Sequence, residues 1–334
     1  MDYVERQRQL QSWIEEQLGH APVALEVASA DASFRRYFRV RCADRTLIAM
    51  DAPPAQEDCR PFVHVAGLMA AAGLNVPAII ASDLARGFLL LSDLGTQSYL
   101  QALNAGNAGT LFADATDALL LWQRASRPGV LPPYDETLLR RELGLFPEWY
   151  LQRHLGITLS EARRSALEGV FTAIVQSNLA QPAVYVHRDY MPRNLMLCTP
   201  NPGVLDFQDA VYGPITYDVA SLFKDAFISW DEERVLDWTV RYWEKAKRAG
   251  LPVDADFGIF YRDFEWMGLQ RHLKVLGIFA RLHYRDGKRG YLDDTPRFIA
   301  YIRAVAVRYG ALSPLLGLLD EIEGNAGASV GYTF

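Results

Sequence analysis

The sequence predicts an α+β chain in two lobes: a small β-rich first lobe and a larger, mostly helical second one. Three observations lead there. Short runs of apolar, β-branched and aromatic residues, broken by polar turns, crowd into the first 95 residues. Helical texture takes over after Ser98. A short β-like island then interrupts it between Val184 and Asp209. We place the division after residue 95, giving segments 1–95 and 96–334.

The elements follow in order. Tyr3 to Leu18 predicts an amphipathic helix, because Tyr3, Leu10, Ile14 and Leu18 fall near one face. From Val23 to Met50 the runs LEVAS, SFRRYFRVR and RTLIAM predict three antiparallel strands. A small-residue turn (Ser29 to Ala32) and a polar turn (Cys42 to Arg45) separate them. Asp58 to Ala72 returns to helix, and NVPAIIAS and GFLLLSDL add two strands. In the island, YVHRD, LMLC and GVLDF read as short strands joined by loops. Asp231 to Tyr309 is helical again.

Composition excludes several classes. Half of the 334 residues are hydrophobic and 22% are charged, the balance of a globular chain. The net charge of −6 argues against a nucleic-acid surface, which needs clustered basic charge. Cys42, Cys59 and Cys198 form no CxxC pair, so neither a disulfide framework nor a zinc ribbon is expected. The start of the chain lacks a signal-peptide core, and no window has the ~18 apolar residues of a membrane span. A cytoplasmic protein with reduced thiols and no membrane partner is the expectation.

The chemistry concentrates in one stretch. Asp189 is followed five residues later by Asn194, and twelve after that by Asp206, with apolar runs flanking them. Phosphoryl transfer needs one carboxylate to orient the attacking hydroxyl and oxygen ligands to hold Mg²⁺ on the phosphates. The pattern H-R-D-x-x-x-x-N, then D-F-x, supplies that set. On these residues the chain resembles the aminoglycoside phosphotransferase-like kinases, as do Gly213-Pro214 and Tyr217-Asp218-Val219-Ala220 downstream. The resemblance implies a bilobal protein-kinase-like fold, with ATP and Mg²⁺ as cofactors. The loop HRDYMPRN lacks the Lys that eukaryotic protein kinases carry two residues after the catalytic Asp, which points to the small-molecule branch.

A narrower resemblance rests on SFRRYFRV, DAPP, LLLSDLG, RELGLFPEWY and WMGLQRHLKVLGIFARLHYRDGKRGYL. These segments are similar to the bacterial anomeric kinases of cell-wall recycling. It implies phosphorylation of N-acetylmuramic acid and N-acetylglucosamine at the C1 hydroxyl, giving the sugar 1-phosphate, with no obligate protein partner. Two alternatives stand beside it. One is a kinase of another small hydroxylated compound, such as an aminoglycoside, choline or homoserine. The other is a non-catalytic nucleotide-binding module.

Asp189 is the expected catalytic carboxylate, with Asn194 and Asp206 as metal ligands. His187 and Arg188 are expected to support the loop, and Asp218 to accept hydrogen bonds from it. Asp209 either faces substrate or satisfies loop N–H groups, and Arg193 either neutralises phosphate or is solvated. Ser29, Ala30, Asp31, Ala32 and Ser33 form the expected phosphate-covering turn, without a glycine. The usual third-strand Lys is missing, since the chain has no Lys before Lys224. Arg35 or Arg36, both assigned to the second strand, is the expected replacement. Ser92, Asp93 and Leu94 are the expected hinge for adenine; Asp93 binds ribose or, preferably, caps the next helix. Glu142, Trp149 and His272 are candidates for the sugar pocket, each with an ordinary core or surface role as the alternative.

Overall fold

The computed structural model describes residues 3–29 and 34–324. The α+β class holds. The chain forms two compact units, one of Met1–Trp122 with Pro192–Ala210 and one of Gln123–Met191 with Val211–Phe334. The sequence division falls after residue 95; the first unit continues through the next two helices, as far as Trp122, and takes back Pro192–Ala210.

In the first unit, α1 (Tyr3–Leu18) precedes β1 (Ala24–Ser29), β2 (Arg36–Arg41) and β3 (Thr46–Asp51). Then come α2 (Arg60–Ala71), β4 (Ile79–Asp83) and β5 (Phe88–Ser92). The five strands form one antiparallel sheet in the order β1-β2-β3-β5-β4. Alternation sends Phe38, Val40, Leu47 and Ala49 to one face, where Leu10, Trp13 and Ile14 of α1 cover them. Gly87 makes the β4–β5 turn at φ +74°, where a Cβ would lie 1.9 Å from the Ala52 carbonyl oxygen. On α2, Phe62, Val65, Ala66 and Met69 recur at helical spacing and are buried. The short α3 (Tyr99–Ala102) and α4 (Ala108–Arg124) follow.

The second unit pairs β6 (Ala183–Val186) with β9 (Val211–Pro214) beside a helical body. That body comprises α5 (Glu136–Leu145), a π-helical stretch (Phe146–His154) and α6 (Glu161–Leu179). It continues with α7 (Tyr217–Phe223), α8 (Glu232–Arg248), α9 (Phe257–Tyr284), α10 (Thr295–Ala306) and α11 (Ser313–Ile322). The 28-residue α9 runs through its centre and is buried over most of its length. The two remaining island strands, β7 (Leu195–Met196) and β8 (Gly203–Val204), pair with each other in the first unit.

Candidate active site

The HRD segment leaves β6 and enters a loop in the second unit. His187 is fully buried against Tyr190, and its Nδ1 accepts the Asp189 N–H at 3.2 Å. Asp218, in the first turn of α7, accepts the backbone N–H of His187 at 2.7 Å and of Arg188 at 3.0 Å. The expected loop-supporting role of Asp218 is thus visible. Burial pushes the Asp218 carboxyl up to about 7, against the two N–H bonds that favour its charge; Asp189 raises it further and Arg271 lowers it. Arg188 stands at φ +76°, a region that residues with a Cβ seldom occupy.

Arg188 donates its guanidinium to Glu142 at 2.5 Å. Lys274 lies 2.9 Å from the same Glu142 oxygen, Gln270 donates to the other at 3.0 Å, and Tyr134 donates to it as well. Burial alone would raise the Glu142 carboxyl; Lys274 and Arg188 bring it down to about 2. Glu142 therefore gathers α5, the HRD loop and α9 around one buried charge. Its oxygens are committed within the protein, which displaces its expected place in a sugar pocket. His272 is fully buried too, stacked on Tyr301 at 4.8 Å with Nε2 3.3 Å from the Lys224 carbonyl oxygen. Burial, then Lys224 and Arg271, hold it well below the usual histidine range, so it is a neutral core histidine in place of the expected sugar contact. Trp149 is half-buried in the π-helical stretch.

Asn194 and Asp206 lie in the first unit. The Asn194 amide is 3.4 Å from Asp206 Oδ2, and the backbone N–H of Leu205 donates to the Asn194 carbonyl at 2.9 Å. Gln208 donates to Asp206 Oδ1 at 2.9 Å and to Asp209 Oδ2 at 3.4 Å. Asp206 has φ +63°, a conformation that aspartate tolerates better than most residues. The Phe207 ring packs on Phe62 of α2 at 4.8 Å, which fixes this acidic segment to the first unit. Asp206, Asp209 and Arg193 are exposed.

Arg35 precedes β2 and is not part of it, contrary to the expected strand. It bonds Glu57 at 3.1 Å. Burial would lower its pKa, but Tyr37, Glu57, Asp209 and Asp206 raise it above the usual arginine value. Arg36 opens β2 opposite Asp51 of β3 and donates to that buried carboxylate at 3.0 Å; Arg6 donates to it from α1 at 2.7 Å. Arg6 and Arg36 also line a cavity of about 560 Å³ with Phe34, Pro53 and Pro54, which includes none of Asp189, Asn194 and Asp206. The turn residues Ala30, Asp31, Ala32 and Ser33 lie outside the described residues, and Ser29 ends β1.

The expected hinge belongs to the first unit. Ser92 Oγ accepts the Ala78 N–H at 2.8 Å. Asp93 is held by Arg39 at 2.7 Å and by the Gly95 N–H at 2.9 Å. It does not cap the following helix: Ser98 does, in a capping box with Gln101. Leu94 packs so closely on Gly203 that a Cβ there would lie 2.9 Å from its Cδ1. Glu57, Gln208 and Lys274 escaped the sequence reading. Each acts through a partner that only the fold brings near, apart from Gln208, whose position inside DFQD was a local signal.

A model of the phosphotransferase enzyme family matches residues 24–254. An N-acetylmuramate/N-acetylglucosamine kinase of Pseudomonas putida is 55% identical over 97% of this chain and 98% of its own. One of Neisseria meningitidis is 47% identical over 99% of this chain and all of its own. A solved choline kinase of Streptococcus pneumoniae superposes with a TM-score of 0.64, covering 90% of this chain and 99% of its own. At 12% identity it carries the fold alone, and that fold is protein-kinase-like. With the family's match spanning most of the chain and relatives above 45% identity along its whole length, the chain belongs to the phosphotransferase enzyme family and is a small-molecule kinase.

Proposed function

We propose that this kinase transfers the γ-phosphoryl group of ATP to the C1 hydroxyl of N-acetylmuramic acid and N-acetylglucosamine. The products are the sugar 1-phosphate and ADP, in the service of cell-wall recycling. The observation that carries the acceptor is full-length similarity, at 55% identity, to a kinase named for these two sugars. C1 as the acceptor position follows from the resemblance to the anomeric kinases. With ATP as the donor, the cytoplasm is the proposed site of the reaction. No helix among the described residues is long and apolar enough to cross a membrane.

In this reading Asp189 accepts a hydrogen bond from the C1 hydroxyl and aims its oxygen at the γ-phosphorus. The new O–P bond forms as the bond to the β-phosphate oxygen breaks, and the hydroxyl proton passes to Asp189 as ADP departs. The transition state is loose, so positioning matters more than base strength. The rigidity of the loop supports this role: Asp218 holds two consecutive N–H groups and His187 holds that of Asp189.

Asp206 and Asn194 offer one carboxylate and one amide, hard donors that suit Mg²⁺. No group of three or more His, Cys, Asp or Glu among the described residues forms a closed cation cage. When bound, Mg²⁺ would neutralise charge on the phosphates.

The test is ADP release with Mg·ATP across N-acetylmuramic acid, N-acetylglucosamine, its C1 methyl glycoside, kanamycin and choline. Turnover with the free sugars and none with the glycoside is expected. Asp189→Asn should lose nearly all turnover, roughly 10³-fold or more, while still binding nucleotide. Turnover with kanamycin or choline alone would overturn the acceptor assignment.

A further inference from the structure

The first 223 residues contain no lysine, so the cation that normally grips the α- and β-phosphates in this fold has no direct counterpart. The proposed metal-ligand segment of the first unit carries two carboxylates within four residues, with Arg193 at its start. Asp206 and Asp209 sit together, bridged by Gln208. Two carboxylates repel a nucleotide's phosphates unless fixed positive charge offsets them. Glu57, just ahead of α2, holds Arg35 at 3.1 Å, and Phe62 of that same helix packs at 4.8 Å on Phe207, which lies between the two carboxylates; the Arg35 side chain is largely withdrawn from water, at 12% exposure.

We infer that Arg35, held in place by Glu57, is the phosphate-binding cation of this enzyme, and that Arg36 is not. The inference rests on the kinase reading above and deepens it. Glu57 lies 3.1 Å from Arg35 Nη2, and its own side chain is 15% exposed. The pair therefore reproduces, with different residues on different elements, the job of a cation steadied by a carboxylate. An arginine on the loop before β2 takes the place of a third-strand lysine, and a glutamate just ahead of α2 takes the place of one on the helix. A guanidinium is a fork of N–H donors on three nitrogens, so it can bond a carboxylate and a phosphate together, which a point-charge ammonium does less well.

Arg36 is excluded by its geometry. It faces Asp51 across the β2–β3 register and shares that buried carboxylate with Arg6, which also donates to the Arg86 carbonyl at 2.8 Å. Removing Arg36 would leave a buried acid short of a partner, a cost in stability.

Binding of ADP, Mg-free ATP and adenosine, followed by calorimetry on the full chain, separates the possibilities. Wild-type turnover of ATP with the two amino sugars is established first; its failure would count against the kinase reading alone. Arg35→Ala should weaken ATP and ADP by about ten-fold or more, the scale of a lost charge-assisted bond, and leave adenosine unchanged. Arg35→Lys should recover part of that loss. Glu57→Gln should weaken ATP by a smaller factor, and the double variant should bind no worse than Arg35→Ala, since the two act as one device. Arg36→Ala should lower the melting temperature and keep the selective affinity for phosphates. The inference is overturned if Arg35→Ala binds ATP like wild type, if it loses ATP and adenosine equally, or if Arg36→Ala shows the phosphate-selective loss instead.

Discussion

Arg188 holds φ +76° although it carries a long side chain, and the neighbourhood explains how. One carboxylate, Asp218, takes the consecutive N–H groups of His187 and Arg188, and another, Glu142, takes the guanidinium. Backbone conformations of this kind cost on the order of 1–3 kcal/mol and persist where the surroundings over-determine them. The strain sits one residue before Asp189 and sets the direction in which that carboxylate leaves the loop. Asp206, the other described residue at positive φ outside glycine, carries the proposed metal ligand, with Gln208 steadying its side chain. Asp218 touches no substrate in this scheme and acts as a positioning residue. Asp218→Asn keeps the shape but turns an amide N–H₂ toward one of the two backbone donors. We expect kcat to fall roughly 10–100-fold with KM for ATP little changed. A fall confined to thermal stability, with kcat intact at a temperature where the variant is folded, would contradict the positioning role.

Helix α9 organises the second unit because almost every side of it is covered. A helix without a polar face belongs in the middle of a bundle. Its residues 270–274 serve the HRD loop from a distance of more than eighty residues, through Gln270 and Lys274 on Glu142. The junction of α5 with the π-helical stretch meets α9 at Gly277, where a Cβ would lie 2.4 Å from the Leu145 backbone carbon and oxygen. Pro147 follows two residues later; without an N–H it cannot continue the α-helical ladder, and the wider π turns begin there. Close approach here keeps Glu142, three residues before Leu145, within reach of Lys274. Gly277→Ala forces one helix away from the other and should destabilise by about 1–3 kcal/mol, read as a lower midpoint in urea. The shift should also lower turnover at temperatures well below unfolding, because the same displacement carries Glu142 off Arg188. An unchanged midpoint would show that the contact relaxes freely.

Across the whole chain, what the sequence made legible was local. The spacing Asp189, Asn194, Asp206 could be read directly, because one loop and one hairpin hold those residues. The five strands of the sheet could be read as runs of apolar, β-branched and aromatic residues broken by turns. Strand β9 could not: Val211-Tyr212-Gly213-Pro214 holds two residues that usually break strands, and it forms only because β6 pairs with it. Glu57, 22 residues from Arg35, and Glu142, 132 from Lys274, had no local pattern to betray their pairing. Yet that second pair governs how the chain should respond to acid. Arg188, Lys274, Tyr134 and Gln270 face Glu142, and its carboxyl is held at about 2 against an ordinary 4.5. A depressed carboxylate stabilises the fold fully above its unfolded pKa and loses that contribution as pH falls toward its folded one. Asp218 works in the opposite sense. Held at about 7 against an ordinary 3.8, it stabilises most in acid and loses that contribution as pH rises toward 7. Melting temperature should therefore decline from about pH 4 to 7 through Asp218, and fall again below about pH 4.5 through Glu142, with comparable slopes because each step involves one proton. In Glu142→Gln, two buried cations lose their counter-charge, so the melting temperature at pH 7 should fall by several degrees or more. Its acid drop should become shallower than wild type, since the group that titrates is gone. Parallel acid limbs in the two proteins would show that the pair of cations on Glu142 contributes nothing to the acid response.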